Sequence, residues 1–181
     1  MISLSTEDKS LESLRTKIYT VSSSPSLQVS YHYPFANDPQ SVIKTWVLPL
    51  SKGYHVRIHK VTLSQEYRVS EGGFCVGTLN DNVRLEKGQI TCGDTVSSID
   101  VIASVPVKLG TKAIHPGMHN LKPLAYYPIW TTDSTLPAGE YVFISTVFFS
   151  TKEMPTEKPS IEHEGDRIRV SFGSFTQTIN L

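Results

Sequence analysis

The densest run of chemically capable side chains is Gly53-Tyr54-His55-Val56-Arg57-Ile58-His59. Side chains alternate across an extended strand, so His55, Arg57 and His59 project from one face and Tyr54, Val56 and Ile58 from the other. At about 3.4 Å per residue the three polar groups span roughly 14 Å. Such a row can hold an anion, because arginine grips a carboxylate through two hydrogen bonds and histidine moves a proton near neutral pH. It can equally be the solvated face of a strand. The apolar positions then change parity, from Val56 and Ile58 to Val61 and Leu63, which predicts a bulge near His59 or Lys60.

Glu71-Gly72-Gly73-Phe74 comes next. Adjacent glycines read as a tight turn feeding a strand at Phe74. They also allow a sharper reading, in which Glu71 returns opposite Arg57 and either fixes the guanidinium or serves as an acid/base carboxylate. Metal-binding cupins place His and Glu on strands too, but as His-x-His, whereas three residues separate His55 from His59. A second pair, His115 and His119, brackets Pro116-Gly117, which breaks any helix and removes the i, i+4 geometry of a helical zinc pair. No metal and no cofactor is expected. Tyr126, Tyr127 and Trp130 could form a platform for sugar rings or pack into a core or rim. No GxSxG elbow, phosphate-binding glycine loop or nucleotide fingerprint is present, which disfavours acyl-transfer and nucleotide enzymes of familiar type.

The elements that must carry these residues are mostly strands. Near the amino terminus, Ser5 or Thr6 ahead of Glu7 and Asp8, with Leu11, Leu14 and Ile18 at helical spacing, predicts a short helix within residues 1–21 that a Ser/Pro stretch ends. From residue 22 to 181 the period is two. Leu27 to Tyr33, Val42 to Leu48, Tyr54 to Leu63, Tyr67 to Val69 and Phe74 to Leu79 read as strands between Pro, Gly, Asn and Asp signals. Ile99 to Leu109 is the longest strict alternation, with one face in a core and the other largely wet. Tyr141 to Phe149 is apolar at both parities, which predicts a central strand covered on both faces. Gly165-Asp166 suits a two-residue hairpin turn between Ile161–Glu164 and Arg167–Phe172, and Phe175, Gln177, Ile179 and Leu181 alternate to the end. The expected fold class is therefore all-β, an antiparallel β-sandwich with one short N-terminal helix; a closed barrel is the alternative.

A chain of 181 residues suits one domain around a single core. Seventeen Lys and Arg balance seventeen Asp and Glu, so the field that draws proteins to nucleic acid or anionic membranes is missing, and neither partner is expected. No window approaches the ~20 apolar residues a spanning helix needs. The amino-terminal residues carry acids where a signal peptide has bases, and Cys75 and Cys92 lie in no CxxC pair. A cytoplasmic protein with two reduced thiols is the expectation.

The run from Gly53 through His59 to Val61, followed by Glu71-Gly72-Gly73-Phe74, resembles the carboxy-terminal β-domain of an uncharacterised bacterial and fungal family, domain-of-unknown-function family 2264 (DUF2264). Leu136-Pro137-Ala138-Gly139-Glu140-Tyr141 and the closing strands are similar in style, and the resemblance extends over most of the chain after about Ser22. It implies a larger parent with an amino-terminal helical toroid and a β-sandwich, laid out like the heparinase-like polysaccharide lyases. The present chain departs from that layout in having no toroid. The resemblance carries over His55, Arg57, His59 and Glu71 as candidate residues of a cleft between the two domains. Three functions stay open: a β-sandwich module binding acidic glycan, part of a lyase or hydrolase site completed by a separate helical domain, and a structural or interaction domain with no small ligand.

Overall fold

The alternating segments become strands almost throughout. The computed structural model describes residues 2–5, 17–23, 27–32, 38, 40–77, 82–115, 123–151 and 155–181. In chain order the strands are β1 (Ile2–Ser5), β2 (Lys17–Ser23), β3 (Leu27–His32), β4 (Val42–Pro49), β5 (Tyr54–Leu63), β6 (Arg68–Gly72), β7 (Val76–Gly77) and β8 (Val83–Glu86). They continue as β9 (Gln89–Cys92), β10 (Thr95–Ala103), β11 (Val107–Ile114), β12 (Ala125–Thr132), β13 (Gly139–Ser150), β14 (Ser160–Glu164), β15 (Arg167–Phe172) and β16 (Phe175–Asn180). All pairings are antiparallel.

A six-stranded sheet ordered β4-β5-β13-β10-β9-β8 forms the middle layer. One face packs on a five-stranded sheet of β1, β6, β12, β11 and β7, and the core between them includes Val61, Leu63, Val69, Ile99, Trp130 and Phe143. The other face is covered by the β14-β15-β16 sheet, where Ile168, Val170 and Ile179 meet Leu48, Val56, Ile58 and Ile144. β13 lies between β5 and β10, as its apolar residues at both parities require: Phe143 and Val147 enter one core while Ile144 and Phe148 enter the other layer. Gly165, at φ 57, makes the β14–β15 turn. The β4–β5 connection needs glycine at Gly53, whose φ is 82 and where a Cβ would run into the carbonyl oxygen of Phe149.

Four expectations change. The N-terminal helix is not found among the described residues: Ile2–Ser5 pairs with β6, and Ile18 lies in β2, which pairs with β3. Leu11 and Leu14 lie outside the described residues, so the helical spacing reduces to a motif whose ends are claimed by sheet partners. No bulge interrupts β5, whose register against both β4 and β13 is continuous from His55 to Thr62. The parity change has another cause. One face of β5 is covered by the β14-β15-β16 layer at Val56 and Ile58, and the opposite face is covered by the five-stranded sheet at Val61 and Leu63. The long alternation from Ile99 to Leu109 is two strands, β10 and β11, which belong to different sheets. Val101, Ala103, Val105, Val107 and Leu109 still pack on one core, so the burial pattern runs unbroken through the change of sheet at Pro106. Of the strand expected from Phe74 to Leu79, Val76–Gly77 is strand, Phe74 and Cys75 precede it, and the final residues lie outside the described ones. No helix among the described residues is long and apolar enough to cross a membrane.

A buried carboxylate fastens the start of β4 to the loop after β5. Asp38, 5% exposed, accepts hydrogen bonds from the backbone N–H groups of Gln40 and Ser41 at 3.1 Å and from the hydroxyls of Ser64 at 2.6 Å and Tyr67 at 3.0 Å. Burial alone would raise its pKa, but the hydrogen bonds from Ser41, Ser64 and Tyr67 outweigh that and hold it at about 2. Because the folded value lies below the ordinary 3.8, the contribution is full above that pH and is lost as pH falls toward about 2. Asp38→Ala is expected to lower urea-unfolding stability by about 2 kcal/mol at neutral pH. Its stability should also fall less steeply in acid than that of the parent protein; an unchanged acid limb would contradict this role.

Candidate functional site

β5 and β6 face each other across the interior between the two larger sheets. His55, Arg57 and His59 point from β5 into that space, and Glu71 points into it from β6. The row is therefore an interior feature that reaches the rim at one end, not a wet strand face. His59 is 2% exposed and Glu71 1%, whereas the Arg57 side chain keeps 16% of its surface.

Glu71 is the hub. Its Oε1 accepts a hydrogen bond from Arg57 Nη1 at 3.0 Å and lies 3.1 Å from His59 Nε2. Its Oε2 accepts from the Trp130 indole N–H at 3.2 Å and from the Ser145 hydroxyl, and the same indole N–H also reaches Ser145 Oγ at 2.8 Å. On the far side of His59, Nδ1 is 2.8 Å from Thr45 Oγ1, and a hydroxyl can donate to or accept from that nitrogen. Arg57 Nη1 also donates to the carbonyl oxygen of Gly72 at 3.2 Å. Strands β4, β5, β13, β6 and β12 thus all contribute to one polar centre bridging both sheets. Burial alone would raise the Glu71 pKa. The charges of His59 and Arg57, with the hydrogen bond from Ser145, outweigh it and hold the carboxyl well below the ordinary carboxylate range.

Glu71 therefore stays an ionised acceptor with its lone pairs committed, which unsuits it to proton exchange with a substrate. The Glu71–Arg57 approach matches the sharper of the two readings that the Glu-Gly-Gly run allows, but a turn does not produce it. Glu71 sits inside β6, opposite Trp130 in the register of β12. The glycines serve close packing instead: a Cβ on Gly72 would lie 2.8 Å from the Tyr127 ring and one on Gly73 2.8 Å from Pro128.

Toward the rim the chemistry becomes accessible. The Arg57 guanidinium carbon lies 5.3 Å from the centroid of the Phe74 ring, and the His55 ring is also 5.3 Å from it. Phe74 in turn contacts Phe149, which is 37% exposed, at 5.6 Å. Burial first, and then the neighbouring Arg57 charge, hold the His55 pKa below the ordinary 6.5. Both contacts of Arg57 with β6 use Nη1, while a guanidinium carries five N–H donors. Donors on its other nitrogens are thus not engaged by β6.

Three partners escaped the sequence reading. Trp130, weighed there as a platform or as packing, is fully buried and stacked on Phe143 at 4.8 Å, so it offers no surface to a sugar. Ser145, beside Thr146, and Thr45, beside Lys44, are hydroxyls inside otherwise largely apolar strands, and that interruption was the only signal they gave. His115 is exposed at the end of β11, and His119 lies outside the described residues. Among the described residues no group of three or more His, Cys, Asp or Glu is arranged to hold a metal ion. Cys75 is exposed, Cys92 is buried, and both are free thiols.

Comparison with solved structures gives a clear likeness. A heparinase III superposes with a TM-score of 0.67 at 12% identity, covering 99% of this chain and 29% of that one. The chain has the fold of a β-domain found in these lyases. A mutant of the heparan sulfate lyase HepC from Pedobacter heparinus matches with a TM-score of 0.65 at 13% identity, again over 99% of this chain and 29% of that one. The chain thus spans less than a third of the length of either enzyme. No family model matches it, so DUF2264 stands as a resemblance alone, and no curated protein matches it.

Proposed function

We propose that this chain is a β-sandwich module of polysaccharide-lyase type that contacts acidic glycan through Arg57 and His55 and is not active alone. The observation that carries this reading is the likeness over 99% of the chain to 29% of heparinase III. The chemistry of the rim agrees with it. Arg57 is anchored by Glu71 from inside, so its remaining donors are pre-oriented for a carboxylate or sulfate, and Phe74 and Phe149 offer apolar surface beside it. Catalysis by this chain alone is disfavoured, because Glu71 and His59 are buried in mutual pairing and elimination requires an accessible base and acid around an oriented sugar.

The second reading, one wall of a lyase cleft completed by a separate helical domain, rests on the same share of length and on the accessible imidazole of His55. The two readings differ in whether adding a helical partner creates turnover.

The pH dependence of binding tests the proposed contact. With its pKa below 6.5, His55 is neutral at pH 7 and gains a proton as pH falls, so an anion bound beside it should bind more tightly in mild acid. Calorimetry with a uronate oligosaccharide between about pH 7.5 and 5.5, where the sugar carboxylates stay ionised, should show affinity rising about two- to fivefold. His55→Ala should abolish the rise. Affinity independent of pH, or a rise that survives in His55→Ala, would remove His55 from the contact.

A further inference from the structure

On the side away from Glu71, the six-stranded sheet is covered unevenly. The β14-β15-β16 sheet packs on Leu48, Val56, Ile58 and Ile144 of β4, β5 and β13. Ile102 of β10 stands opposite Ile144 in register, hence on the same face, yet it is 47% exposed. A groove of about 130 Å³ lies there, with Ile102 and Ile144 in its floor and Pro159 and Ile161 in its wall. That is room for an aliphatic side chain and well short of a drug-sized site. Lys158 and Asp100, both exposed, also line it and carry opposite charges, so the groove itself favours no sign of charge.

The wall of this groove is the outermost strand of a sheet. Among the described residues β14 pairs with β15 and with no other strand, so its outer edge presents backbone N–H and C=O groups from Ser160 to Glu164. Along β14, Ile161 turns toward the six-stranded sheet, while Ser160, Glu162 and Glu164 are exposed on the other side. A strand laid beside β14, about 4.8 Å away, therefore rests one row of side chains on Ile102 and Ile161 and holds the other row beside Glu162 and Glu164.

The chain itself shows which sequence suits that position. On its inner edge β14 meets Arg167-Ile168-Arg169-Val170, where Arg169 and Arg167 stand opposite Glu162 and Glu164 and the alternate residues, Ile168 and Val170, are buried. Arg169 reaches Glu162 only at 3.7 Å, with both side chains largely exposed, so the glutamates can take a second cation from the outer side. We propose that the free edge of β14 accepts an extended peptide segment of a partner protein, added as a fourth strand, in which basic residues alternate with aliphatic ones. The aliphatic row fills the groove over Ile102, and the basic row meets Glu162 and Glu164. A second copy of β14 is a poor occupant, because it brings glutamates against glutamates, and like charges on neighbouring strands repel. The groove and the proposed contact at Arg57 lie on opposite faces of the six-stranded sheet, so either can fail without the other.

The test titrates the full chain with an end-blocked hexapeptide in which arginine and valine alternate, read by amide resonances and hydrogen exchange. The amides of Ser160 to Glu164 and of Ile102 should shift, and exchange along β14 should slow. Methylating alternate backbone nitrogens of the peptide, which removes its donors and keeps its side chains, should weaken binding at least about tenfold. Replacing its arginines with glutamates should weaken it about three- to tenfold, and the double variant Glu162→Lys, Glu164→Lys should reverse that preference. Ile102→Ser should weaken the arginine peptide about threefold or more while the melting temperature stays close to the parent's, since the side chain is half exposed. No response at β14 and Ile102 would overturn the proposal. Equal binding by the methylated peptide, or by one with its arginines and valines in two separate blocks, would overturn it as well, by reducing the attraction to charge alone. Slowed exchange along β14 that grows with protein concentration and needs no peptide would make a second copy the occupant and overturn it too.

Discussion

Replacing Glu71 with alanine is expected to lower the unfolding free energy by about 3 to 5 kcal/mol. The carboxylate is 1% exposed and meets Arg57, His59, Trp130 and Ser145 at once. Removing it strands a largely buried guanidinium without its anion and takes the neighbouring carboxylate away from His59 Nε2. Glu71→Gln keeps the volume and part of the hydrogen bonding, so it should cost distinctly less. The acid limb adds a second signature. Because the folded pKa lies below the ordinary 4.5, the carboxylate stabilises the fold fully above that pH, and the contribution fades as pH falls further. Urea unfolding at neutral and acidic pH should therefore show Glu71→Ala converging on the parent protein in acid. A loss of less than about 1 kcal/mol at neutral pH would place the pair among screened surface bridges and contradict the burial described here.

Trp130→Ala should produce a loss of similar size, about 3 to 5 kcal/mol, for a different reason. The indole is fully buried, stacks on Phe143 with an interplanar angle of 21°, and donates to both Ser145 and Glu71. Truncation opens a cavity and leaves two acceptors short of a donor. Trp130→Phe separates these effects, since it keeps most of the stacking and loses the N–H; a cost of about 1 to 2 kcal/mol is expected. Combining Trp130→Phe with Glu71→Gln should give less than the sum of the two, because both act on one network. Strict additivity in a double-mutant cycle would mean that the indole and the carboxylate do not share that network.

The strand layout was legible because the chain alternates wherever one face is buried, and β13 announced its two-sided burial by apolar residues at both parities. The Gly165-Asp166 hairpin was legible for a similarly local reason. What the sequence did not disclose was which layer covers which face. The parity change along β5 looks like a bulge to a reader who assumes one core, and it is a straight strand to one who knows that a third sheet covers Val56 and Ile58. The N-terminal helix failed on the same ground: Ile18 at helical spacing says nothing of the sheet partner that β2 finds in β3. At the candidate site, strand parity grouped His55, Arg57 and His59, and the Glu-Gly-Gly run only allowed Glu71 to return opposite Arg57. They could not say that this meeting point is interior, because burial of a charged row depends on the opposing strand β6 and on Trp130, Ser145 and Thr45, all remote in sequence.

The reading of the rim as a contact for acidic glycan is tested most directly by titrating the intact chain with heparan sulfate oligosaccharides in a calorimeter while following the absorbance of unsaturated uronate product. Saturable binding that weakens with added salt, accompanied by no product, is the predicted result, since Arg57 offers charge and a neutral His55 beside it does not make up an accessible acid–base pair. The absence of any binding heat, or the appearance of unsaturated product from this chain alone, would contradict it.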